Sequence, residues 1–280
     1  MQVFYRNDQD AENAGDFSPS AAKPGKFVKY LRDSGRDAVL VSPEAATMDE
    51  LCRAHSPDYV RGVLECEEPN GFGNLDPAVA ASLPFTSGSL LSAARAVLSN
   101  GLRVACSPTS GFHHAGFDFG GGFCTFNGLM VTALALHAEG RARRVAIVDC
   151  DQHYGDGTEH IIDRVGCRDW CLSNGRVPRG SGDQYLRDLE GYLAGVRRFA
   201  PDIALFQAGA DPHVHDPLGG RLTTAEMGRR DRMVFEALRE AGIPVVWNLA
   251  GGYQRDAGGG IRPVLDLHLQ TFDLAREVFY

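Results

Sequence analysis

Four short runs, "RVAC" (103–106), "RVAIVD" (144–149), "IALFQA" (203–208) and "PVVWNLA" (244–250), are almost uninterrupted apolar sequence. Each is separated from the next by sequence of helical period, with helices expected near 126–139, 157–164, 183–199, 223–241 and 260–278. Strands apolar at every position must be covered on both faces, and helical crossovers between them make their neighbours parallel. An α/β layered fold follows. Upstream, "MQVFYR" and "AVLVS" read as further strands, and "PGKFVKYLRDSG" as a helix with Pro24 near its start. Thr47 with Glu50 forms a capping box for "TMDELCRAH", and Ser56-Pro57 opens another helix. A long helix is expected from "SGSLLSAARAVLSNG", stopped at Gly101. With no repeat, low-complexity tract or linker, residues 1–280 read as a single domain.

In open α/β sheets, ligands bind beyond the carboxyl ends of the strands. After the four runs come "SPTSGFHHAGFDFGGGFC", "DCDQHYGDG", "GADPHVHDPLGG" and "GGYQRD". These glycine-rich loops should therefore meet at one edge, gathering His113, His114, Asp149, Asp151, His153, Asp211 and Tyr253. Net charge is −8 with no basic cluster beyond "RARR", which argues against a nucleic-acid partner. No apolar run approaches the ~18–20 residues of a membrane span. The start "MQVFYRNDQD" lacks a signal-peptide pattern, so a cytoplasmic protein without a membrane partner is expected. Seven cysteines form no C-x-x-C pair and several sit in apolar runs, as buried thiols of a reducing compartment would.

Asp151 and His153 stand two apart on extended chain and so face the same side. With Asp211 they make an O,N,O set, three ligands with a vacancy, which is the pattern of a catalytic metal. Hard carboxylates plus imidazole suit Zn²⁺, and Fe²⁺, Co²⁺ or Mn²⁺ fit nearly as well. Asp149 then stands behind the metal or binds through its own contacts to neighbouring backbone. A bare strand cap with His153 bonded to a loop is the competing reading of "DCDQH". His55, His137, His160 and His268 read as structural, and His213 and His215 as either loop residues or neighbours of the site. The adjacent His113 and His114 allow one imidazole to stay near neutral as a base while the other donates or orients. Tyr253 can offer its hydroxyl to a developing oxyanion. Jointly these parts describe metal-assisted hydrolysis of an acyl bond.

The segments "AHSPDYV" (54–60), "GFHHA" (111–115), "GGFCTFNG" (121–128), "DCDQHYGDGT" (149–158), "AGADPHVHDPLGG" (208–220) and "LAGGY" (249–253) resemble, in order, those of the histone deacetylase superfamily. That superfamily includes bacterial acetylpolyamine amidohydrolases and deacetylase-like amidohydrolases. The resemblance implies an arginase-like three-layer α/β fold with a central, mostly parallel sheet of about eight strands. It implies Zn²⁺ on Asp151, His153 and Asp211, one per chain, His114 as general base, His113 as its electrostatic partner and Tyr253 as oxyanion donor. Phe123 would line an acyl-lysine tunnel with Gly122 on its wall, and K⁺ would lie beside Asp149 with carbonyls of Asp151 and His153 and contacts from "CLSN" (171–174). The substrate implied is an acylated lysine or a small acylated amine, and an oligomer is compatible with this reading.

Three departures from the family pattern stand out. Tyr154 replaces the second histidine after the metal aspartate, and "SPSAAKPGK" replaces a His-Pro-rich entry. A glycine- and aromatic-rich stretch normally follows the strand at "DWCLS", whereas here "SNGRVPRGSGD" runs straight into a helix, so a wider or one-walled tunnel is expected. Leu218 stands where polyamine-selective members carry an acidic gatekeeper, which favours acyl-lysine over polyamines, though Glu67 or Glu68 could supply a substitute charge. An acetylpolyamine deacetylase and a catalytically weak relative that binds acylated ligands are the alternatives. A binuclear Mn²⁺ hydrolase would need a D-x-H-x-D arrangement that the chain lacks.

Overall fold

The computed structural model describes residues 1–12, 17–174 and 180–280. Among them, seven parallel strands make one sheet: β1 (Gln2–Phe4), β2 (Val39–Val41), β3 (Val104–Ser107), β4 (Val145–Asp149), β5 (Cys171–Ser173), β6 (Ile203–Gln207) and β7 (Val245–Asn248). Their order across the sheet is β2-β1-β3-β7-β6-β4-β5. That is one strand fewer than the eight or so expected, and every pairing is parallel. The helices are α1 (Lys23–Asp33), α2 (Met48–Ala54), α3 (Pro57–Leu64), α4 (Pro77–Ser99), α5 (Gly128–Ala138), α6 (Asp156–Val165), α7 (Gly182–Phe199), α8 (Thr224–Glu240) and α9 (Arg262–Phe279).

Two apolar cores flank the sheet, and the strands feed them alternately. Ala146, Val148, Ala204, Phe206, Val245 and Trp247 join α1, α7, α8 and α9 on one face. Val145, Ile147, Ile203, Leu205 and Val246 join α2 to α6 on the other. This is the period-two pleat with both faces buried, which explains why polar residues in these strands are few and stand at their carboxyl ends.

Helix starts follow local chemistry. Thr47 and Glu50 close the expected capping box, and Ser56 caps α3 with Pro57 at its first position. The long α4 begins ten residues before the expected Ser87, at Pro77, and runs through Pro84. Asp76 supplies its cap, and burial of one face of α4 offsets the bond that Pro84 cannot make. No helix among the described residues is long and apolar enough to cross a membrane.

Candidate active site

The order β3-β7-β6-β4 places four consecutive carboxyl ends side by side, so the loops singled out in the sequence do converge. The loop after β4 folds on itself: Asp149 Oδ1 accepts from Asp151 N–H at 3.1 Å, and Asp151 Oδ1 from His153 N–H at 3.0 Å. His153 Nδ1 then lies 3.1 Å from Asp151 Oδ1 and 3.0 Å from Asp211 Oδ2, the latter brought by the loop after β6. One ligand atom from each of Asp151, His153 and Asp211 fits within 4.8 Å of the others. Gly251, after β7, donates its N–H to Asp151 Oδ2 at 3.0 Å. A Cβ there would stand 2.5 Å from Asp211 Cγ and 2.6 Å from Asp151 Oδ2, so only glycine lets the backbone approach.

The donor set fits a metal. Asp151 and Asp211 are buried side by side, and Asp211 Oδ1 is buried with no hydrogen-bond partner. Burial and the charge of Asp151 push the Asp211 carboxyl up to about 8, while His113 and His153 hold Asp151 ionised against its own burial. A divalent cation bound by two oxygens and Nδ1 would relieve both the repulsion and the unpaired oxygen.

His113 and His114 have rings 4.2 Å apart and different partners. His113 Nδ1 meets Asp149 Oδ2 at 2.8 Å, and its Nε2 is 3.5 Å from Asp151 Oδ1. Burial opposes its charged form, yet Asp149 and Asp151 outweigh that and bring it to about 9. His114 Nδ1 pairs with Asp156 Oδ1 at 2.6 Å; burial and the charge of His113 lower its pKa, leaving a neutral imidazole near pH 7. Asp149 is thus engaged with His113, Asp151 N–H and Gln207 Nε2, and its main chain is clamped both ways by the Asn174 amide.

Tyr253 is buried, its ring 5.6 Å from that of Phe123, and its N–H donates to Asp216 Oδ2 at 2.7 Å. Burial and the nearby Asp151 and Asp211 charges raise its hydroxyl, which stays protonated as a donor. Gly122, at φ +53°, packs so closely on His114 that a Cβ would lie 2.4 Å from Cδ2. Phe123 is itself left-handed at φ +65°, pinned by its N–H on Gly71 O at 3.0 Å. Leu218 sits 40 % exposed, its N–H on Asp216 Oδ1.

Sequence reasoning missed several participants. Asp156 had a signal, as the next carboxylate in "DCDQHYGD", but its pairing with His114 needs the turn into α6. Lys23 had none: it is wholly buried, donates to Ala250 O at 2.7 Å, and burial lowers it to about 8 against the opposing pull of Asp211, Asp151 and Asp216. Phe17 also escaped notice, although its ring stacks on Tyr253 at 5.7 Å and lies 6.2 Å from Phe123. Phe72, 5.8 Å from Phe123, adds a further ring, so the aromatics around Phe123 come from segments other than the shortened one. Residues 175–179 of that segment lie outside the described residues. His213 pairs with Thr224 Oγ1, and His55, buried, bonds Gly116 O and accepts from Asn127 N–H.

The family model for the histone deacetylase domain matches residues 20–166 and 172–262. The chain belongs to the histone deacetylase family. It is 32 % identical over 249 residues to an uncharacterized protein of Picosynechococcus sp., covering 80 % of this chain and 81 % of that one. It is 27 % identical over 287 residues to acetylpolyamine amidohydrolase 1 of Pseudomonas aeruginosa, covering 81 % of each. The crystal structure of an acetylpolyamine aminohydrolase from Burkholderia pseudomallei matches the fold with a TM-score of 0.77 at 22 % identity, over 99 % of both chains. This histone deacetylase family member is accordingly a hydrolase of amide bonds, of the deacetylase type.

Proposed function

We propose that this histone deacetylase family member is a zinc-dependent deacylase, cytoplasmic, acting on acyl-lysine or a related acylated amine. The observation that carries the reading is the meeting of three metal-type ligands, two histidines with separate carboxylates, and a protonated tyrosine at one sheet edge. Bound by Asp151, His153 and Asp211, Zn²⁺ would activate water and polarise the acyl carbonyl; Fe²⁺ or Co²⁺ suits the same donors. His114, kept neutral and oriented through Nδ1 by Asp156, takes the proton of the attacking water and returns it to the leaving amine. His113, charged and hydrogen-bonded to Asp149, holds positive charge beside that transfer. Tyr253 donates its hydroxyl to the oxyanion. Gly122 and Phe123 line the passage. K⁺ is proposed beside Asp149, supported by the contact between Asp149 and Asn174 of "CLSN".

For the amine, the exposed apolar Leu218 favours a lysine stem or cap over a polyamine, whose distant ammonium a leucine cannot pair. A polyamine substrate is the second reading, supported by the name of the Pseudomonas relative and by the exposed Glu67 and Glu68 on the loop that carries Phe72. The test is kcat/KM for an acetyl-lysine peptide and for acetylspermidine with zinc-loaded protein, in wild type and Leu218→Glu. The acyl-lysine reading expects the peptide to win in wild type and the variant to gain on acetylspermidine. A wild type preferring acetylspermidine more than about tenfold decides for the polyamine, and no turnover of either defeats the deacylase reading.

A further inference from the structure

Arg230 on α8 is among the largest wholly buried side chains of the molecule, at 1 % exposure. A buried guanidinium is a costly way to fill space, since an apolar residue of similar volume packs there without desolvation. Its contacts show what the planar fork adds. Nη1 donates to two main-chain carbonyls, Gly209 O at 2.7 Å and Cys150 O at 3.2 Å. Cys150 immediately precedes Asp151, and Gly209 stands two residues before Asp211. The other edge of the guanidinium is fixed on Asp231 Oδ1, by Nε at 2.8 Å and Nη2 at 2.6 Å, and Asp231 Oδ2 accepts from Thr271 Oγ1 of α9 at 2.6 Å.

The last ladder bond between the strands that carry the ligands is Cys150 N–H to Gln207 O, 3.0 Å. Beyond it, among the described residues, no main-chain bond joins 150–153 to 208–211, although two buried carboxyl groups sit there side by side. Resting on the metal centre proposed above, we infer that Arg230 is a positioning residue: it ties the Cys150 and Gly209 carbonyls together and so fixes the spacing of Asp151 and Asp211 before the ion arrives. It touches neither substrate nor metal, and it works through backbone. Nη1 alone serves both carbonyls, while Asp231 holds Nε and Nη2 and so fixes the plane and direction of the group, an anchoring that a freely rotating ammonium does not provide.

The test measures Zn²⁺ affinity by competition with a chelator, and the visible absorption of the Co²⁺-loaded protein, in wild type, Arg230→Met and Arg230→Lys. Groups that orient ligands are worth about 10–100-fold in metal affinity, and Arg230→Met should lose that much and alter the Co²⁺ bands. Arg230→Lys, able to reach one carbonyl, should recover part of the affinity, which mere support of the fold would not predict. A folded Arg230→Met protein with Zn²⁺ affinity within about twofold of wild type and unchanged Co²⁺ bands overturns the role, and leaves the deacylase reading standing. Should Arg230→Met not fold, Thr271→Val frees Asp231 with Arg230 in place. Weaker Zn²⁺ binding there supports the role, and unchanged binding overturns it. A wild type that binds no stoichiometric metal overturns both the role and the metal centre.

Discussion

Two neighbouring histidines with opposite shifts show how little of an acid–base pair is encoded in the dipeptide itself. The adjacent His113 and His114 were legible in the sequence, as were the period-two Asp151 and His153; the dipeptide alone left open which imidazole stays neutral, and only the family resemblance named His114, because the difference depends on burial and on Asp149 arriving from the end of β4 to charge His113. Lys23 was illegible for a different reason. Its environment is made by the loop after β7 and by carboxylates far along the chain, so nothing around it in sequence marks it as buried. At this scale Tyr253→Phe is the sharpest probe. It removes one hydroxyl and little volume, so substrate should bind with similar KM while kcat falls by ~10²-fold or more. A raised KM at level kcat would make Tyr253 a binding residue. Asp211→Ala, by removing the carboxylate whose Oδ1 has no protein partner, should abolish stoichiometric zinc together with turnover, as measured by metal analysis of the purified protein.

Elements carry information that single residues do not. Segment 17–23 closes on segment 249–255 at both ends: Arg255 Nη2 donates to Phe17 O at 2.9 Å, and Lys23 donates to Ala250 O. Phe17 is thereby held over Tyr253 and Phe123 while remaining 45 % exposed. The departure from a His-Pro entry was visible in "SPSAAKPGK"; that a phenylalanine just before it would stack on the tyrosine loop was not, since the contact spans more than two hundred residues. Phe17→Ala should raise KM several-fold for an acyl-lysine peptide and leave kcat within about twofold, because the ring packs on Phe123, proposed to line the passage, and has no part in the proposed proton transfer. Equal KM values would show that the ring merely shields Tyr253. The start of α4 teaches a similar lesson. Pro84 reads locally as a break, yet the helix passes through it because its buried face packs against α5 and β3.

At the level of the whole molecule, the layered parallel fold was readable because apolar strands and helical crossovers leave few alternatives, and the described residues hold seven strands where about eight were expected. Acid stability follows from the same burial. His55 is enclosed with Nε2 accepting from Asn127 N–H, and burial lowers its pKa from 6.5 to about 4. The unfolded chain therefore binds the extra proton between those values, so this stability is whole above about pH 6.5 and drains as pH falls toward 4, by roughly 3 kcal/mol. The difference in urea midpoint between wild type and His55→Gln should therefore be larger at pH 7 than at pH 5, a comparison in which groups of opposite sign, such as Asp211 and His113, cancel. The sheet order has a consequence for the newly made chain. β7, the last strand in sequence, lies in the middle of the sheet between β3 and β6. Without it, the remaining strands can form only two separate half-sheets, each with a bare edge: β2-β1-β3, whose loop bears the two histidines proposed as catalytic, and β6-β4-β5, whose loops bear the three proposed metal ligands. Insertion of β7 closes those edges and delivers Tyr253 in the same act, so a ribosome-bound chain ending before β7 carries all three proposed ligands for the ion, lacks the proposed oxyanion donor, and has two edges open to aggregation.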